Sequence, residues 1–217
     1  MSAPSSSIVS TSAQLRTFLS VIRPDSTIYL DLEGKDLSRH GTLTIATILI
    51  QPENVLGVVD VLRLGETTFS TKTNDGRSLK SILEDPTIRK CVWDVRNDAD
   101  ALWAHFRVQL HGVLDVQLLE NASRPRGVDK RKLSGLGNAI KNDIKLGFWD
   151  RERWMRTKNE GRSHMSRDIF SSRPLALTTV KYCENDVVHL PALYEYYITN
   201  HPGLAGRGPR GVTSPRS

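Results

Sequence analysis

At 217 residues the chain is long enough for one domain with a substantial core, plus a short tail. A hydrophobic content of 38% with 25% charged residues fits a globular protein on the polar side, and no apolar run approaches the roughly 18 residues that a membrane helix needs. The net charge of +6 is uneven: residues 121–167 carry thirteen Lys/Arg against five Asp/Glu, and residues 201–217 add three Arg and no acid. The remainder is net acidic, so a surface for an anionic partner sits beside an acidic region elsewhere.

The start, M-S-A-P-S-S-S, has neither the basic opening nor the apolar run of a secretory signal. Cys91 and Cys183 have no C-x-x-C spacing and read as reduced thiols. Together these predict an intracellular protein, cytoplasmic or nuclear, with no membrane partner.

In chain order, residues 1–11 are Ser-rich and predicted disordered. Residues 12–22 follow with Ser12 as cap and Leu15, Phe18, Leu19 and Ile22 on one helical face. Residues 28–33, I-Y-L-D-L-E, form an apolar strand ending in two acids. Strand patterns at 43–50 and 55–61, joined by a short Pro-containing turn, predict an antiparallel meander. Residues 65–77 read as irregular and 79–84 as a short helix. A strand at 90–94, a helix at 98–106 and a strand at 113–116 then argue for a mixed sheet flanked by helices.

The second half is less regular. Residues 122–132 form a basic loop and 133–144 a short helix. Residues 147–174 lack periodicity, with Phe148, Trp149, Trp154 and Phe170 among arginines. Residues 177–197 form a helix that Pro191 kinks or divides. From residue 200 onward Gly, Pro and Arg predict a disordered basic tail, so the domain runs from 12 to 199.

Three acidic motifs stand out. Asp31 and Glu33 are two apart on a strand, so both carboxylates leave one face, where mutual repulsion calls for a cation. Asp98, in N-D-A-D at a strand–helix junction, either caps the helix or joins a cation site; capping and metal binding are compatible. Tyr182 and Asp186 are four apart on the late helix and share a face. Asp94 and Asp100 are the alternative acids: Asp94, at a strand end, is placed to face the same centre, whereas Asp100 points to solvent.

The order D-x-E on a first strand, Asp at the start of a middle helix and Y-x-x-x-D on a late helix resembles the DEDDy branch of the 3′–5′ exonucleases, which includes RNase D and polymerase proofreading domains. Longer stretches, K-C-V-W-D-V-R-N-D-A-D-A-L from Lys90, V-L-D-V-Q-L-L-E from Val113 and R-P-L from Arg173, resemble the fungal RNase D-like and Egalitarian-like exonuclease domains. The resemblance implies an α/β, ribonuclease H-like fold: a five-stranded mixed sheet flanked by helices, its first three strands antiparallel. It implies two ions, Mg²⁺ or Mn²⁺, held by Asp31, Glu33, Asp98 and Asp186, with Tyr182 beside the attacking water. The activity implied is metal-dependent 3′–5′ hydrolysis of single-stranded nucleic acid, RNA ahead of DNA; a non-catalytic RNA-binding or adaptor protein on the same fold is the alternative.

The basic segment supplies candidate nucleic-acid contacts: Arg151, Arg153 and Arg156 for phosphates. Trp149 and Trp154 either stack bases or lie buried under the irregular segment.

Overall fold

The structure, a computed structural model, describes residues 3–160 in full, the backbone of 161–164, and residues 168–200. Its centre is strand β2 (Thr27–Glu33) in a six-stranded sheet; the others are β1 (Ser5–Val9), β3 (Ile45–Gln51), β4 (Val55–Asp60), β5 (Arg89–Val92) and β6 (Val113–Asp115). The spatial order is β1-β4-β3-β2-β5-β6. The β2–β3 and β3–β4 pairs are antiparallel, and the pairs β2–β5, β5–β6 and β1–β4 are parallel. The mixed sheet with an antiparallel meander, expected from the sequence, is therefore present, in ribonuclease H-like order.

Strand periodicity separates two cores. Ile28, Leu30 and Leu32 face one side and pack with Leu15, Phe18 and Leu19 of α1 (Ser12–Leu19), Leu79 and Ile82 of α4 (Leu79–Glu84), and Leu102 of α5 (Arg96–Phe106). Tyr29 faces the other side, with Val180, Tyr182, Cys183 and Val187 of α9 (Leu177–Val187). Asp31 and Glu33 continue the Tyr29 row, because side chains alternate along a strand. One strand thus carries an apolar row into one core and two carboxylates under α9.

The sheet gains one strand beyond the five expected. Residues 5–9, expected to be disordered, form β1, pairing from Ser5↔Val55 to Val9↔Val59. Only Val9 of this strand is buried, so its pairing rests on backbone hydrogen bonds that a Ser-rich composition does not advertise. The cap of α1 is Thr11 rather than Ser12: the Thr11 hydroxyl accepts from Gln14 N at 3.2 Å while Gln14 Oε1 accepts from Thr11 N at 3.1 Å. Residues 65–77 are not wholly irregular, since after α2 (Val61–Leu64) they contain the single turn α3 (Thr67–Ser70). Lys90, fully buried, closes the end of α4 by donating to the carbonyls of Ile82 at 2.9 Å, Asp85 at 2.5 Å and Ile88 at 2.9 Å.

The largest departure lies in the basic segment. After α6 (Val116–Ser123) and α7 (Leu136–Asp143), residues expected to be irregular form α8 (Phe148–His164). Its polar residues leave no apolar stripe, so helical periodicity is absent from the sequence. The late helix divides as Pro191 suggests, into α9 and α10 (Leu190–Asn200), with Pro191 in the first turn of α10, where a missing N–H leaves no bond unmade. Asn200 ends α10; the expected tail at 201–217 lies outside the described residues. No helix among the described residues is long and apolar enough to cross a membrane.

Gly34 follows Glu33 directly and runs against the returning chain. A Cβ there would lie 1.9 Å from the backbone oxygen of Thr42, a residue tied to Lys35 by bonds of 2.9 Å. Gly34→Ala should therefore destabilise the protein by at least about 1–3 kcal/mol, the cost of forcing atoms into a packed site. It should also displace Glu33. Thermal melting checks this, and an unchanged midpoint would show that the strand end can open freely.

Candidate active site

The carboxylates are delivered by three elements. β2 supplies Asp31 and Glu33, and Asp186 descends from α9 onto the same sheet face. Among the described residues, ligand atoms of Asp31, Glu33 and Asp186 all lie within 4.8 Å of one another. Asp98 enters from the first turn of α5, 6% exposed, and adds its field to that of the cluster from just outside it. Tyr182, one turn before Asp186, is 3% exposed and packs against Phe170 with ring centroids 5.9 Å apart.

The start of α9 is fastened by Arg173, which donates twice to Asp60 at 2.7 Å and once to Thr44 O at 3.2 Å. Asp60, at the end of β4, is itself buried, so this bidentate pair ties the segment before α9 to the end of that strand. The start of α5 is organised by Asp115 at the end of β6. Its carboxylate accepts from the backbone N of Asp94 at 3.2 Å, Val95 at 3.1 Å and Gln117 at 2.9 Å. Asp115 lies within the V-L-D-V-Q-L-L-E stretch, whose spacing carries no signal for this role.

The electrostatics are those of crowded acids. Burial, followed by the fields of Glu33, Asp186 and Asp98, holds Asp31 well above the usual carboxylate range, and Lys158 only partly opposes this. Burial and Asp186 push Glu33 up to about 8. Burial, then Asp94 and Asp115, push Asp98 up to about 8. The Oδ2 of Asp31 is shut off from solvent and has no hydrogen-bond partner among the described residues. A buried acceptor without a donor is costly, and a hard cation with oxygen ligands satisfies both the acceptor and the repulsion.

A stability consequence follows. Glu33 and Asp98 bind protons more tightly in the folded chain than their ordinary values of 4.5 and 3.8. Their contribution is fully present below those values and is lost as pH rises through about 8. In EDTA the melting midpoint should therefore fall by several degrees between pH 5 and 9, as about 1 kcal/mol moves it by 2–4 °C at this length. Glu33→Gln should flatten the fall. A pH series of melts in EDTA measures it, and equal slopes for parent and variant would mean that the acids do not repel in the folded state.

The two alternative acids are engaged elsewhere. Asp94, at φ 66°, pairs with Arg96 at 2.6 Å and 2.7 Å. Asp100 grips Arg39 through the backbone N at 2.8 Å and the guanidinium at 2.6 Å, so it fastens the loop after β2 to α5.

The aromatic candidates separate. Trp149 is 77% exposed beside Phe148, edge-to-face at 5.2 Å. Trp154 is 3% exposed and its Nε1 donates to Asn185 O at 3.0 Å, so it is a packing anchor between α8 and α9 rather than a base-stacking surface. Arg153 and Arg156 are exposed and Arg151 is partly buried. The residue that the sequence did not single out is Lys158. From α8 it pairs with Asp186 and donates to Tyr182 Oη at 3.0 Å, with Nζ 4.2 Å from the Tyr182 ring centre. Its only sequence signal is its spacing of four from Trp154.

The family profile described as 3′–5′ exonuclease matches residues 6–197. Among solved structures, the Trypanosoma brucei RNase D–GMP complex is 27% identical over 92% of this chain and 58% of that one, with TM-score 0.74. The T. brucei RNase D complex with RNA U12 is 24% identical over 91% of this chain and 64% of that one, with TM-score 0.75. Brucella melitensis NrnC with bound Mg²⁺ is 16% identical over 82% and 75%, with TM-score 0.58, a likeness of fold. The chain thus spans 58% and 64% of the two RNase D chains. No protein of curated function matches it in sequence.

Proposed function

Because the chain belongs to the 3′–5′ exonuclease family, we propose that it removes nucleotides from the 3′ end of single-stranded nucleic acid, RNA ahead of DNA, with divalent metal. The observation that carries this is the convergence of ligand atoms of Asp31, Glu33 and Asp186 within 4.8 Å, with Asp31 Oδ2 buried and without a hydrogen-bond partner among the described residues. The donor set, all carboxylate oxygen, suits Mg²⁺ or Mn²⁺. Asp31, Glu33 and Asp186 would hold one ion, and Asp31 with Asp98 a second. Such ions supply charge neutralisation at the phosphate and a nucleophile from water at neutral pH.

The chain's own groups do the rest. Tyr182 offers a hydroxyl one turn from Asp186; its phenol is too weak an acid to act as base unaided, and its role is to orient the attacking water. Burial of Tyr182, Asp98 and Asp186 keeps bulk water from competing for those hydrogen bonds. Outside the centre, Arg153 and Arg156 face solvent on α8 and would meet backbone phosphates, joined by Arg151, while the exposed Trp149 would stack a base. The RNase D complexes with GMP and with RNA U12 support a nucleotide substrate, and the Mg²⁺ in NrnC supports the metal.

The test uses 5′-labelled single-stranded RNA and DNA of one sequence, each incubated with Mg²⁺, Mn²⁺ or EDTA. RNA should shorten faster than DNA with either metal, and neither should shorten in EDTA. Equal rates on both strands would remove the RNA preference, and cleavage in EDTA would remove the metal.

A further inference from the structure

Lys158 is partly buried on a helix whose described residues are mostly polar and solvent-facing. Trp154 and Lys158 are one turn apart on α8 and so share a face. Trp154 is held reciprocally: its Nε1 donates to Asn185 O at 3.0 Å, and Asn185 Nδ2 donates to Trp154 O at 3.2 Å. Asn185 immediately precedes Asp186. This exchange fixes the register between α8 and α9, and the register delivers the Lys158 ammonium to Asp186.

The ammonium is well enclosed. The Lys158 side chain is 12% exposed and that of Asp186 is 7% exposed. Nζ meets the Asp186 carboxylate, the Tyr182 hydroxyl at 3.0 Å and the Tyr182 ring face at 4.2 Å. Its positive field also reaches Asp31 and Glu33, favouring their charged forms. All three carboxylates of the proposed metal centre therefore feel the positive charge of Lys158.

One ammonium is an incomplete answer to three acids. It is a point charge with three donors, and Asp31 Oδ2 still has no hydrogen-bond partner among the described residues. A divalent ion brings twice the charge and accepts several oxygens at once. Yet the two cations cannot both sit against Asp186, since like charges in an enclosed site repel strongly. We propose that Lys158 is an internal counter-ion of the metal-free centre, which divalent metal must displace from Asp186, so that metal loading and the docking of the Lys158 turn of α8 oppose each other. This rests on the reading of these carboxylates as metal ligands. By linkage the opposition is reciprocal: whatever draws Lys158 away strengthens metal binding, and metal frees Lys158. A phosphate backbone arriving on the basic face of α8 offers such a pull, coupling metal loading to the presence of nucleic acid.

The test is Mn²⁺ binding by calorimetry, without nucleic acid, for the parent, Lys158→Met and Lys158→Arg. Lys158→Met removes the competing charge and keeps the length, so it should bind Mn²⁺ roughly tenfold more tightly, the scale set by losing one charge-assisted contact. Lys158→Arg should stay near the parent. If Lys158→Met binds with the parent's affinity or more weakly, the counter-ion role is overturned while the metal centre stands. If neither protein binds Mn²⁺, the metal reading fails and this inference falls with it. A second measurement needs no variant: reductive methylation of the folded parent, with Lys158 read by mass spectrometry. Lys158 should be shielded in EDTA and labelled several-fold faster in Mn²⁺. Equal labelling in both conditions overturns the proposal.

Discussion

Asp31→Asn should lower the single-turnover rate of RNA shortening by about 10³-fold or more, the scale on which losing a group that stabilises transition-state charge is felt. The substitution keeps the side-chain shape and removes the charge of an acid that is buried among Glu33, Asp186 and Asp98. Asp31 neighbours Glu33 and Asp186 in the 4.8 Å cluster and feels the field of Asp98 from the other side. The fold should survive, because Asp31 is held above the usual carboxylate range by burial and by its acidic neighbours, so removing its charge relieves repulsion. The metal-free variant should therefore melt at or above the parent's midpoint while losing Mn²⁺ binding. A variant that melts like the parent and still degrades RNA at the parent rate would place the chemistry elsewhere.

Tyr182→Phe should reduce the single-turnover rate by about 10²-fold, the scale of assistance from a positioned acid–base group. Its ring is buried, packing on Phe170 at 5.9 Å, so Phe preserves the packing and removes only the hydroxyl. Because Tyr182 is 3% exposed it contributes little surface to nucleic acid, and affinity for RNA in Ca²⁺ should change by no more than about twofold. The split between rate and affinity identifies a group that acts on the reacting water. An unchanged rate would leave Tyr182 as a packing residue whose hydroxyl accepts from Lys158.

What the sequence revealed follows from periodicity. The alternation in residues 28–33 placed Asp31 and Glu33 on one face, and the structure puts that face under α9. The spacing of Tyr182 and Asp186 was equally readable, since four residues make one turn. Asp98 was legible as a helix-start residue, although α5 opens two residues earlier, at Arg96, and its neighbours Asp94 and Asp115 are set by a turn that no spacing rule describes. Lys158 was hidden for a physical reason. Among the described side chains of α8, residues 148–160, that of Trp154 alone is fully buried, and one buried side chain makes no stripe. The same indole left the sequence ambiguous between stacking and burial, and the Asn185 exchange resolves it. β1 was hidden because its register with β4 uses the backbone, which every residue type supplies.

The central claim is that this carboxylate centre hydrolyses nucleic acid from the 3′ end. It is tested most directly by following one 5′-labelled single-stranded RNA in Mn²⁺, prepared with either a free or a chemically blocked 3′ terminus. The free strand should shorten one nucleotide at a time, in a ladder that keeps its label, and the blocked strand should persist. Internal cuts, early release of the labelled 5′ nucleotide, or equal loss of both strands would contradict the account.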